Sequence, residues 1–94
     1  MKKIDKKQTD EFYTAVLKLE SKEEVRNFFE DICSIAELSA LSQRLRVASL
    51  LKKGMSYLDI SKETGASTAT ICRVNKCLSY GAGGVDAVLE KTKK

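Results

Sequence analysis

Apolar residues recur at steps of three and four through most of this chain, and β-branched alternation is absent, so the pattern predicts helices and no sheet. The first helix covers about Thr9 to Leu19, with Phe12, Val16 and Leu19 on one side and residues from Ile4 able to extend it. Ser21 and Glu24 form a capping box that opens a second helix, with Val25, Phe28, Phe29 and Ile32 apolar. Ser34 and Glu37 form another, and the longest helix runs from about Ile35 to Lys53. Its stripe reads Leu38, Leu41, Leu45, Ala48 and Leu51. Lys52 and Lys53 suit its C-terminal dipole, and Gly54 ends it. Beyond a break at Gly81, Ala82, Gly83 and Gly84, a short last helix spans Val85 to about Lys91, with Val88 and Leu89 apolar.

Between these lies the most informative stretch, residues 56–78. Ser56 and Asp59 cap a helix from about Tyr57 to Thr64, in which Ile60 faces inward and Ser61 is small enough for a second backbone to come close. Gly65 stands where the chain must take a positive φ, Ala66 plugs the corner, and Ser67 caps a helix from Ala69 to about Leu78. Ile71, Val74 and Leu78 fall on one stripe, packing on Ile60 and the body of the protein. Thr68, Ala69, Thr70, Cys72, Arg73 and Lys76 are left on the opposite face. Two helices joined by a glycine also occur as a plain corner in a bundle. The joint spacing of Ile60, Ser61, Gly65, Ala66, Ser67, Ile71 and Arg73 instead favours a helix-turn-helix, which pushes one exposed helix into the DNA major groove. Thr68, Ala69, Thr70 and Cys72 would then face base edges, with Ser67, Arg73 and Lys76 near the backbone or a ligand.

Ninety-four residues make one domain, expected to divide into dimerisation helices (1–53), a helix-turn-helix (54–79) and a short C-terminal helix with a basic tail (80–94). A chain this small is marginal alone, and Phe12, Phe28 and Phe29 are candidate anchors of a subunit interface, the alternative being an ordinary monomer core. The net charge of +4, from 17 basic and 13 acidic residues, favours an anionic partner. Lys2, Lys3, Lys6 and Lys7 at one end and Lys91, Lys93 and Lys94 at the other are expected in frayed termini that add salt-sensitive attraction to DNA. Neither an 18-residue apolar run nor an apolar stretch near Met1 occurs, so the cytoplasm is the expected location. There Cys33, Cys72 and Cys77 read as free thiols, with packing the default for Cys33 and Cys77. Cys72 and Cys77 stand about 140° apart around their helix axis and do not share a metal. An enzyme is the least supported class, because histidine, a phosphate-cradling loop and a CxxC pair are all lacking.

The order of helices and two motifs, LSQRLRVASLLKKGMS (41–56) and GASTATICR (65–73), resemble the Trp repressor family, nearest its YerC/YecD-type subgroup. The resemblance implies an all-α, interlocked homodimer of about six helices and transcriptional repression in bacteria. It also implies a ligand pocket. Arg44 matches the arginine lying against the indole of a bound tryptophan, and Arg73 the one holding its carboxylate. Val74 and Cys77 depart from the pattern, standing where the family has a glycine and a serine. Valine adds bulk where room is needed, and a thiol is a poor acceptor for a cation. The co-repressor candidates are therefore tryptophan, another amino acid, or none. The leading reading is a sequence-specific regulator of double-stranded DNA. The alternative is a helical protein-interaction module that does not touch DNA, kept open by the near balance of Lys62, Arg73 and Lys76 against Asp59 and Glu63.

Overall fold

A computed structural model describes residues 5–93 as six α-helices, with no strand among them: α1 (Lys6–Leu17), α2 (Lys22–Ile32), α3 (Ile35–Lys52), α4 (Tyr57–Thr64), α5 (Thr68–Tyr80) and α6 (Gly84–Thr92). They form two compact units, residues 1–38 and 39–94, dividing within α3. Among the described residues no helix is long and apolar enough to cross a membrane.

In the first unit, side-chain caps decide where helices start. Asp5 caps α1 by accepting the Gln8 N–H at 3.1 Å, which puts the start three residues ahead of the sequence expectation. The D-x-x-Q spacing is the local signal for this start. Lys6 and Lys7 are therefore helical rather than frayed, as is Lys91 in α6, while Ile4, Lys2, Lys3 and Lys94 lie outside the described residues. α1 also ends at Leu17, so Leu19 is half-buried beyond it. Ser21 caps α2, but the Glu24 carboxylate reaches back to the Glu20 N–H instead of closing on Ser21 itself. The Ser34–Glu37 box closes both ways: Ser34 N–H donates to Glu37 Oε1 at 2.7 Å, and Glu37 N–H to Ser34 Oγ at 3.1 Å. Those bonds favour the ionised carboxylate and hold the Glu37 pKa below its ordinary value. Phe12, Phe28 and Phe29 touch one another, with ring centroids 5.3–6.4 Å apart, yet no described residue of this unit is fully buried.

The second unit has a dry core of Val47, Ala48, Leu50, Ile60, Ala66, Ile71 and Val74, with Leu51, Met55, Leu78 and Leu89 packed against it. Fully burying aliphatic side chains of this size contributes roughly 1.5–3 kcal/mol each. The predicted stripe on α3 is only partly right. Val47 and Leu50 carry the core, whereas Leu41 and Leu45 stay 44 % and 45 % exposed. At about 100° per residue the helix presents two apolar faces that share Ala48 and Leu51. One meets α4 and α5; the face with Leu41 and Leu45 is left open.

α3 ends in a Schellman motif. Gly54, at φ 83°, donates to Leu51 O at 3.0 Å, and the next N–H, of Met55, donates to Leu50 O at 3.1 Å, which turns Met55 back onto the core. In α6, Asp86 pairs with Lys52 of α3 (Nζ to Oδ1 3.1 Å) and Leu89 adds its side chain to the apolar cluster.

Candidate nucleic-acid interface

Three residues, Gly65, Ala66 and Ser67, connect α4 to α5. Gly65 sits at φ 75° with its N–H donating to Ser61 O at 2.9 Å, the single-bond left-handed ending of a helix. A side chain there would meet no neighbour within 4 Å, so the demand for glycine comes from the backbone conformation and not from crowding. Ala66 is buried beneath the corner. Ser67 then caps α5, its Oγ accepting the Thr70 N–H at 3.1 Å. Ile71 and Val74 are buried, and Leu78 packs beside them, so one side of α5 is anchored as the stripe predicts.

The residues assigned to the other side are arranged largely as expected. Ser67, Thr68, Ala69, Cys72, Arg73 and Lys76 are all exposed. Thr70 differs. It is half-buried, and its hydroxyl accepts from Ser67 Oγ at 3.1 Å, so it belongs partly to the cap. α5 starts one residue earlier than expected, which puts Thr68 and Ala69 in its first turn. Short side chains there leave the helix N-terminus open to close approach by an anion or a groove edge.

The residues matched to a ligand pocket differ in exposure. Arg44 on α3 and Arg73 on α5 are exposed. Val74 is 7 % exposed and belongs to the core cluster. Cys77 is exposed, contrary to the packing expected of it, because it lies off the Ile71–Val74–Leu78 stripe; Cys33 is half-buried, and all three thiols are unpaired. The Val74 side chain thus fills space between helices of its own unit.

Three polar residues bond around the corner in ways the sequence pattern does not show, Ser61 being expected there only for its small size. Ser61 Oγ donates to Ala66 O at 2.8 Å, and Thr64 Oγ1 donates to Ile60 O at 2.7 Å while accepting the Ala66 N–H at 3.1 Å. Gln43 of α3 donates from Nε2 to Thr64 O at 3.2 Å. Arg46 of α3 also lies 3.4 Å from Glu63 of α4, an exposed pair of little energetic weight.

The Trp repressor protein family model matches residues 7–93. The chain is 44 % identical over 92 residues to the uncharacterised protein YerC of Bacillus subtilis strain 168, covering 98 % of this chain and 88 % of YerC. Among solved structures it resembles a TrpR-like protein from Eubacterium eligens (TM-score 0.87, 47 % identity, 90 % of this chain and 88 % of that one). It also resembles a Trp repressor-type protein from Staphylococcus aureus (TM-score 0.85, 44 % identity, 89 % and 84 %). A match over nearly the whole length, together with the six helices and the glycine corner, makes this chain a member of the Trp repressor family.

Proposed function

We propose that this protein is a sequence-specific DNA-binding transcriptional regulator of bacteria, acting in the cytoplasm as a homodimer and repressing by occupying its operator. One observation carries the reading: the first turn of α5 presents Ser67, Thr68 and Ala69 to solvent, while Ile71 and Val74 hold the same helix onto a buried core. A recognition helix needs this division, because its N-terminal residues must reach base edges without loosening the fold. Thr68 and Ala69 offer a hydroxyl and methyl groups for readout, Cys72 extends that surface, and Arg73 and Lys76 suit phosphate. Family membership supports the regulatory role. The homodimer is supported by Leu41 and Leu45, leucines left open on a helix whose other apolar face is covered. Two copies would place two α5 helices about one DNA turn, roughly 34 Å, apart.

We read DNA binding as independent of tryptophan, the support being that Val74 is committed to the core. Selection of bound fragments from random DNA, with and without a panel of amino acids at stated salt, tests both parts. The expected product is a two-fold motif, equally enriched in either condition. A protein-interaction module would show no salt-dependent DNA affinity and recover no motif. With the motif in hand, Thr68→Ala should weaken discrimination between it and a one-base variant by roughly 1 kcal/mol. Equal discrimination in wild type and variant would remove Thr68 from the reading face.

A further inference from the structure

We infer that Gln43, outside the helix-turn-helix and away from its exposed face, is a positioning residue for sequence reading. The inference rests on the DNA-binding reading above.

The turn from α4 to α5 is held by two kinds of bond. Ser61 and Thr64 supply bonds from within the motif, to Ala66 O, Ile60 O and the Ala66 N–H. Gln43 supplies one from α3, to the carbonyl of Thr64. That carbonyl belongs to the last residue of α4 and has no partner within its own helix. It is acceptor-only, so the Gln43 amide must present Nε2 to it, and the half-buried amide has one useful orientation.

Apolar packing of Val47, Leu50, Ile60, Ile71 and Val74 sets how close α3, α4 and α5 lie, but it is non-directional and tolerates small rotations. The hydrogen bond is directional and ties a point on α3 to the residue just before Gly65. It therefore fixes the angle at which the chain leaves for α5. Base edges and phosphates differ in sensitivity to that angle. Thr68 and Ala69 reach only a bond or two beyond their backbone, so a small tilt removes a base contact. Arg73 and Lys76 have long flexible side chains that follow a phosphate through the same tilt. Loss of the Gln43 bond should thus reduce selectivity far more than it reduces adhesion to DNA.

The test uses the full chain and Gln43→Met, which keeps the length and removes the donor, with Gln43→Asn, which keeps the amide and cannot reach, as the second variant. Affinity is titrated for the selected motif and for a scrambled duplex of equal length, across salt, well below the melting temperature found by circular dichroism. The ratio of the two affinities should fall about tenfold in both variants, the scale of one base contact, with scrambled-duplex affinity and salt slope unchanged. A purely structural role would lower both affinities together or neither. Folded variants with the wild-type ratio overturn the inference, and so does failure of both variants to fold, which would make Gln43 a stability residue. A wild type with no preferred sequence is distinguishable from these outcomes and overturns the DNA-binding reading along with the inference.

Discussion

The two units of this chain use apolar side chains in different ways. In residues 39–94, three helices and a three-residue corner enclose a core in which Val47, Ile60 and Ile71 are wholly inaccessible to water. In the first unit, α1 and α2 carry three mutually touching phenylalanines, yet Leu17 remains 83 % exposed and no described residue is fully buried. The helix-turn-helix unit, the reader of the proposed function, is built on its own core, so its geometry is settled within one chain. The N-terminal helices hold apolar surface that their own unit does not cover, which is the surface the proposed homodimer would use.

Three substitutions bear on this contrast. Ile60→Ala should have the largest effect, a loss of about 3 kcal/mol in thermal unfolding, because a void at a fully enclosed site adds to the lost transfer energy. A loss under about 1 kcal/mol would mean that the reader's core is far softer than its burial implies. Phe28→Ala should cost less, about 1–2 kcal/mol, since the ring is half-buried. Its signature is a melting temperature that depends less on protein concentration than that of wild type. Concentration-independent melting of the wild type itself would remove the dimer and recast the first unit as a loosely packed monomer element.

Glu37→Gln should have the smallest effect, and one confined by pH. The folded pKa of Glu37 lies below its ordinary value, so its contribution is fully present above the ordinary glutamate range and fades as pH falls through the lowered folded value. Wild type should exceed the variant at neutral pH and converge with it in acid. A difference constant with pH would assign the effect to shape rather than charge.

Much of the reader was legible because its signals are local. Ser56, Gly65 and Ser67 each announce a cap or a corner within a few residues, and their geometry follows. The Asp5 cap is equally local, but its D-x-x-Q spacing stands beside Thr9, a stronger-looking helix start. The α3 core face was harder to read. Two apolar faces overlap on that helix, and periodicity chose the one that the chain leaves open. Gln43 shares the buried face with Val47 and Leu50, four and seven positions on, so a polar residue there marks a bond to be made. Its acceptor, Thr64, is twenty-one residues away, beyond any local pattern. Thr70, expected on the reading face, shares its hydroxyl with the cap as well, since a helix wheel gives the direction of a side chain but not its partner.

The exposed side chains of Ser67, Thr68, Ala69, Cys72, Arg73 and Lys76 lie outside the buried cluster that anchors their helix. On the proposed DNA-binding reading, what the protein recognises could therefore drift while the scaffold stays intact, each change except one at the Ser67 cap being a surface exchange with little penalty to folding. Duplicated copies could diverge toward separate promoters by this route, and a designer could follow it with libraries at the five codons other than that of Ser67.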